Sequence, residues 1–134
     1  MGKYRRRALV LPGVAASVTA ARRFAASVAR ELGMDEHQTG TIALVASELA
    51  TNAVEASPGL TYDLAIEVIG NQVRVEVTNP ARGAEIPDRS QWGPDEPLAL
   101  RGRGLQIVDQ LSDRVELASD SRKVRVTATL GFVS

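Results

Sequence analysis

The chain has no cysteine. That excludes disulfides, cysteine nucleophiles and thiolate metal sites together. It has one histidine, His37, so a zinc site built from several histidines is excluded. A Ser-His-Asp triad would have to use that same residue, set between Glu36 and Gln38 at a helix start. Neither charge is in excess: Lys plus Arg and Asp plus Glu stand at 16 each. Nothing global therefore points to nucleic acid or an acidic membrane as a partner. The run Arg5-Arg6-Arg7 is a local exception and reads as a solvated terminal patch. No apolar run approaches the length of a membrane span. The stretch "ALVLPGVAASVTAARRF" resembles a signal sequence only superficially, because Pro12 and Gly13 interrupt it and Arg22 and Arg23 make it amphipathic. The expectation is a cytoplasmic protein without direct nucleic-acid or membrane contact.

What is present fits a folded domain. A length of 134 residues suits a single domain over 1–134 with its own core. At 44% hydrophobic and 24% charged, the composition is that of a globular chain rather than a disordered one.

Arg6 to Pro12 is a short strand candidate ended by Pro-Gly. Apolar positions at helical spacing (Val18, Ala21, Ala25, Val28, Leu32) mark a first helix over Val14 to Leu32, which Gly33 ends. Asp35 is the N-cap of a second helix, with Gln38 three residues on as in a capping box, and this helix runs to about Ala56. "YDLAIEVIG" and "NQVRVEVTN" alternate as strands around a tight Gly70-Asn71 turn. The segment Pro80 to Leu100 has no periodicity and is longer than a plain connection needs. A third helix starts at "RGRGLQIVDQLSD", and "DRVELAS" and "KVRVTATLGFV" form a final hairpin. The order β-α-α-β-β-loop-α-β-β predicts a two-layer α/β sandwich. Its mostly antiparallel sheet is covered on one face by three helices and solvated on the other.

Two stretches carry polar chemistry. In "VASELATNAVEAS", Ile42, Val45, Leu49 and Ala53 make an apolar stripe, and Glu48, Asn52 and Glu55 make a polar stripe beside it. The plain reading is an amphipathic helix with a solvated edge, and this segment alone favours it. The functional reading is a site. An Asn oxygen suits Mg²⁺, a Glu one turn earlier can polarise a hydroxyl, and the alanines at 50, 53 and 56 would admit a bulky ligand. In "RGRGL", Gly102 and Gly104 surround a helix start that favours an anion, and Arg101 and Arg103 add positive charge.

Together "ELATN" and "RGRGLQIVDQLSD" resemble the N box and the glycine-rich phosphate box of the Bergerat-fold ATPases, a group that includes histidine-kinase catalytic domains and gyrase. The element order, the length and "AARRFAASVARELGM" followed by "TIALVASELATNAVEAS" resemble its small branch of anti-sigma factors with serine-kinase activity. The resemblance implies ATP and Mg²⁺ as cofactors, Glu48 as general base and Asn52 as Mg²⁺ ligand. It implies that Gly102 and Gly104, with Arg101 and the backbone around Arg103 and Leu105, hold the phosphates. The loop Arg82 to Leu100 would be a nucleotide lid.

The family's adenine-reading box departs from its usual form in "NPARG". Asn79 stands where the family has Asp, Ala81 where it has the first Gly, and Gly83 remains. An Asn offers an acceptor oxygen, but its NH₂ can also donate. The expectation is that guanine is less strongly excluded and that Asn79→Asp sharpens the preference for adenine. Val124 stands where the family often has a base-contacting threonine.

The implied function is phosphorylation of a serine on a STAS-type anti-anti-sigma partner, sequestration of a sigma factor, or both, with a homodimer left open. The alternative is a non-catalytic partner-binding module with weak or lost nucleotide binding.

Overall fold

In the computed structural model, residues 4–80, 99–120 and 122–131 are described, with side chains for all of these except 4 and 99–104. The chain runs β1 (Tyr4–Leu11), α1 (Ser17–Glu31), α2 (Glu36–Ala56), β2 (Tyr62–Ile69), β3 (Gln72–Pro80), α3 (Ala99–Leu111), β4 (Arg114–Ser119) and β5 (Lys123–Gly131). The five strands form one sheet in the order β1-β2-β3-β5-β4, every neighbouring pair antiparallel. This is the expected sandwich.

Register explains the covered face. Leu64 stands opposite Val77, and Val77 opposite Val126. In the next row Ile66, Val75 and Ala128 are partners. All six are buried, because the two-residue period sends each row to the same side of the pleat. The other side carries ions. Arg6 lies 3.9 Å from Glu67 and 3.7 Å from Glu76, and Arg125 lies 3.7 Å from Glu76. The Arg5–Arg7 run is exposed to solvent, as expected, but it is not a loose tail. It is strand, and alternation splits its charges: Arg6 meets the acidic sheet face while Arg7 reaches Glu31 of α1 at 3.0 Å. Exposed pairs of this kind contribute less than about 1 kcal/mol each.

The helix ends follow the local sequence. Asp35 Oδ1 accepts from the Gln38 N–H at 2.7 Å, and Gln38 Oε1 accepts from the Asp35 N–H at 2.9 Å, completing the expected capping box. At the end of α1, the Met34 N–H reaches the Ala29 carbonyl and the Gly33 N–H the Arg30 carbonyl. Gly33 has φ +86°, a conformation that a side chain would strain. Asp113 is structural: its carboxylate accepts from the Gly131 N–H at 2.7 Å, tying the start of β4 to the end of β5.

Helix α2 is the centre of the helical layer. It packs against α1 on one side, α3 on the other, and β2 and β3 beneath. Ile42, Val45, Leu49 and Ala53 are buried as their spacing requires, and so are Ala46 and Ala50. The small side chains at 50 and 53 serve close packing in the core. They do not leave room for a bulky ligand, as the sequence alone had implied for them.

Candidate functional site

Glu48, Asn52 and Glu55 share one face of α2, four and three residues apart. The plain expectation of a solvated edge fails at the middle position. Asn52 is only 4% exposed, and its Oδ1 is buried without a hydrogen-bond partner among the described residues. The hydroxyls of Thr39, Ser112 and Thr129 are in the same condition, but a hydroxyl can donate or accept, whereas an amide oxygen only accepts. A donor or a cation is needed to satisfy it, and leaving it orphaned costs about 1–3 kcal/mol.

Half-buried Glu48 stands one turn before Asn52. Burial pushes its carboxyl above the ordinary value of 4.5, and the nearby Glu55 carboxylate pushes it further the same way. Raising a carboxylate toward neutrality makes it a stronger base, which is how a general base is tuned.

Among the described residues no group of three or more His, Cys, Asp or Glu side chains is placed to hold a metal ion. A metal here would have to take most of its oxygens from elsewhere. Mg²⁺ is commonly held that way, by one or two protein oxygens with phosphates and water completing its shell. The partnerless Asn52 oxygen fits that role.

The end of β3 lies against the end of α2. Asn79 is buried, and its Nδ2 donates to Ser57 Oγ at 3.1 Å and to the Pro80 carbonyl at 3.2 Å. Ser57 Oγ in turn donates to the same Pro80 carbonyl at 2.7 Å. Both contacts lie on the side of the Asn79 amide that faces the end of α2, and they tie β3 to that helix. Val124 is the direct cross-strand partner of Asn79, so those two positions do stand side by side. Ser57 directly follows the expected helix end at Ala56, and sequence reasoning gave it no part in the site. Nothing in a separation of 22 residues announces its bond to Asn79.

The third helix begins at Ala99, two residues before the sequence expectation. Arg101, Gly102, Arg103 and Gly104 all lie within it. The free N–H groups at a helix start are those of the residue before it and of its first three residues, here, among the described residues, those of Ala99 to Arg101. The backbone donors of Gly102, Arg103, Gly104 and Leu105 are committed to the helix, and Leu105 is a fully buried core side chain. Gly83 and most of the expected lid, residues 82–98, lie outside the described residues.

A profile of the histidine kinase-like ATPase domain matches residues 11–130. The chain belongs to that family. Membership implies ATP binding for this ATPase-family domain. In the solved RsbU and RsbW domains of Rv1364c from Mycobacterium tuberculosis, the fold recurs with a TM-score of 0.66 and 20% identity. That match covers 95% of this domain but only 32% of the mycobacterial chain. The SiaB–SiaC complex from Pseudomonas aeruginosa matches with a TM-score of 0.64 and 11% identity, over 92% of this domain and 88% of that chain. At these identities the likeness establishes the fold. No curated protein sequence matches the ATPase-family domain. Among the described residues, no helix is long and apolar enough to cross a membrane.

Proposed function

We propose that the protein binds Mg-ATP between α2, the end of β3 and the start of α3, and acts as a regulatory serine kinase of the anti-sigma type. The observation that carries the proposal is the pair on α2. A buried amide oxygen without a partner stands one turn from a carboxylate whose affinity for protons is raised. Asn52 Oδ1 would hold Mg²⁺, which supplies positive charge to the phosphates. Glu48 would accept the proton of an incoming serine hydroxyl as that oxygen bonds to the γ-phosphorus and ADP leaves. The first turn of α3, up to Arg101, would face the phosphates with free N–H groups, and Gly102 beside it adds no side chain. Gly104 on the second turn adds no side chain, and Arg103 adds charge.

The substrate in this reading is a serine on a STAS-type anti-anti-sigma protein, with a sigma factor as the second partner. Support for a protein partner comes from SiaB, whose matching chain was solved in complex with SiaC. The second reading, a binding module without phosphoryl transfer, is favoured by Asn79 in place of the family's Asp.

Calorimetric titration tests the nucleotide step before any partner is known. Saturable binding of ATP that strengthens with Mg²⁺ is expected. An absence of binding at millimolar nucleotide would overturn the kinase reading and leave the binding module.

A further inference from the structure

We infer that the groove between α1 and the first turns of α2 is an anion site that takes the phosphate dianion of a small, soluble phosphate monoester. It is separate from the nucleotide site proposed above and does not rest on that reading. Thr39 in this groove and Asn52 are thirteen residues apart on α2, which is about 20 Å along the helix axis.

The groove has a volume of about 350 Å³, which suits a small molecule. Arg22, Arg23 and Arg30 line it from α1, and Glu36, Thr39 and Gly40 from α2. Arg22 and Arg23 are exposed and have no ion-pair partner among the described residues. Arg30 Nε lies 3.5 Å from a Glu36 carboxylate oxygen, and the rest of its guanidinium fork keeps donors to spare. Three guanidinium charges against one carboxylate leave the groove with two positive charges. A phosphate monoester carries about −1.5 to −2 at pH 7 and offers three acceptor oxygens. Guanidinium forks match that geometry. The chain as a whole has no net charge to draw it onto an anionic membrane or a nucleic acid, so the occupant is soluble and small.

Two residues of α2 point the same way. Thr39 is only 2% exposed, and its hydroxyl has no hydrogen-bond partner among the described residues. A helical threonine ordinarily gives its proton to the carbonyl four residues back. Thr41 and Thr51 of the same helix do so, at 3.1 and 2.8 Å. Thr39 does not, and its proton is left for an acceptor in the groove. Gly40, next to it, sits inside a helix, where glycine is unfavourable. Packing does not require it, because a Cβ at this position would meet nothing within 4 Å. Its missing side chain keeps the groove open beside Thr39.

The test titrates the full chain with glycerol 3-phosphate, followed by two-dimensional NMR of the backbone amides. Wild type is expected to show saturable shifts at Thr39 and Gly40. Arg22→Gln and Arg23→Gln, both at exposed positions, should each weaken binding by about tenfold or more, the worth of a hydrogen bond to a charged group. Thr39→Val keeps the shape and loses the hydroxyl. It should weaken binding by about three- to tenfold while the thermal midpoint of the free protein stays or rises, since a buried hydroxyl without a partner has been removed. A merely structural Thr39 would do the reverse, lowering the midpoint and leaving the affinity. Asn52→Ala should bind the monoester as wild type does. The inference is overturned if wild type shows no saturable shift at millimolar monoester, or if both arginine variants bind as tightly as wild type. It is also overturned if binding is lost in Asn52→Ala instead, or if wild type is retained by phosphatidic acid vesicles while the soluble monoester leaves it unmoved. Failure here leaves the nucleotide reading standing, because titration with Mg-ATP tests that reading by itself.

Discussion

The Asn79 amide nitrogen lies 3.1 Å from the Ser57 hydroxyl, joining the last turn of α2 to the end of β3. Asn79→Asp substitutes an acceptor for the donor that faces the Pro80 carbonyl at 3.2 Å. The variant is expected to lose about 1–3 kcal/mol of stability, the cost of unsatisfied buried polar atoms. Urea unfolding at neutral pH checks it. A variant as stable as wild type would mean that the bond contributes nothing.

Glu48 gives a prediction in pH. Burial and Glu55 raise its folded-state pKa above the ordinary 4.5. As pH rises past that value the unfolded chain releases the proton while the folded chain still holds it. Stability then falls with pH until the folded-state pKa is passed. Glu48→Gln removes that slope. The variant should be more stable than wild type at neutral pH, and the gap should close as pH drops below the ordinary carboxylate range. Parallel stability–pH curves for the two proteins would contradict the shift.

Gly13 sits where two loops touch. Its carbonyl accepts from the Gly59 N–H at 2.9 Å. A Cβ at this position would run into the Leu60 carbonyl oxygen, and would stand 3.0 Å from both the Leu60 nitrogen and the Ser57 carbonyl. All three are backbone atoms and cannot swing aside. Gly13→Ala should therefore cost about 1–3 kcal/mol as an overpacking change. It should also disturb the loop that seats Ser57. Thermal unfolding measures the first effect, and an unchanged midpoint would show that the loops part freely.

Much of this was legible because it is periodic or local. Alternating valines in "NQVRVEVTN" fix which face of β3 is buried. Asp35 and Gln38 are close enough in sequence to announce their capping box. The stripe Ile42, Val45, Leu49 and Ala53 announces the buried side of α2. The resemblance of "ELATN" and "RGRGL" to two phosphate-site boxes pointed to the family. What stayed hidden was long-range. Burial of Asn52 depends on α2 having neighbours on both sides, which one helix's pattern does not reveal. The Ser57–Asn79 bond joins two elements whose closeness follows from the hairpin returning beneath α2. The fate of Arg6 and Arg7 required the sheet register, which set Glu67 and Glu76 near one and left the other facing Glu31.

The central claim is that Asn52 supplies the metal-facing oxygen of a nucleotide site. It is tested most directly by the Mg²⁺ dependence of ATP binding in wild type and Asn52→Ala, measured by calorimetry with thermal unfolding as a check on folding. The account predicts that wild type binds ATP more tightly with Mg²⁺ than without. Asn52→Ala should lose that enhancement by about tenfold or more, the lower range seen even for outer-sphere partners of a metal, while its affinity for metal-free ATP stays the same. An Asn52→Ala protein that folds and binds Mg-ATP as tightly as wild type would contradict it.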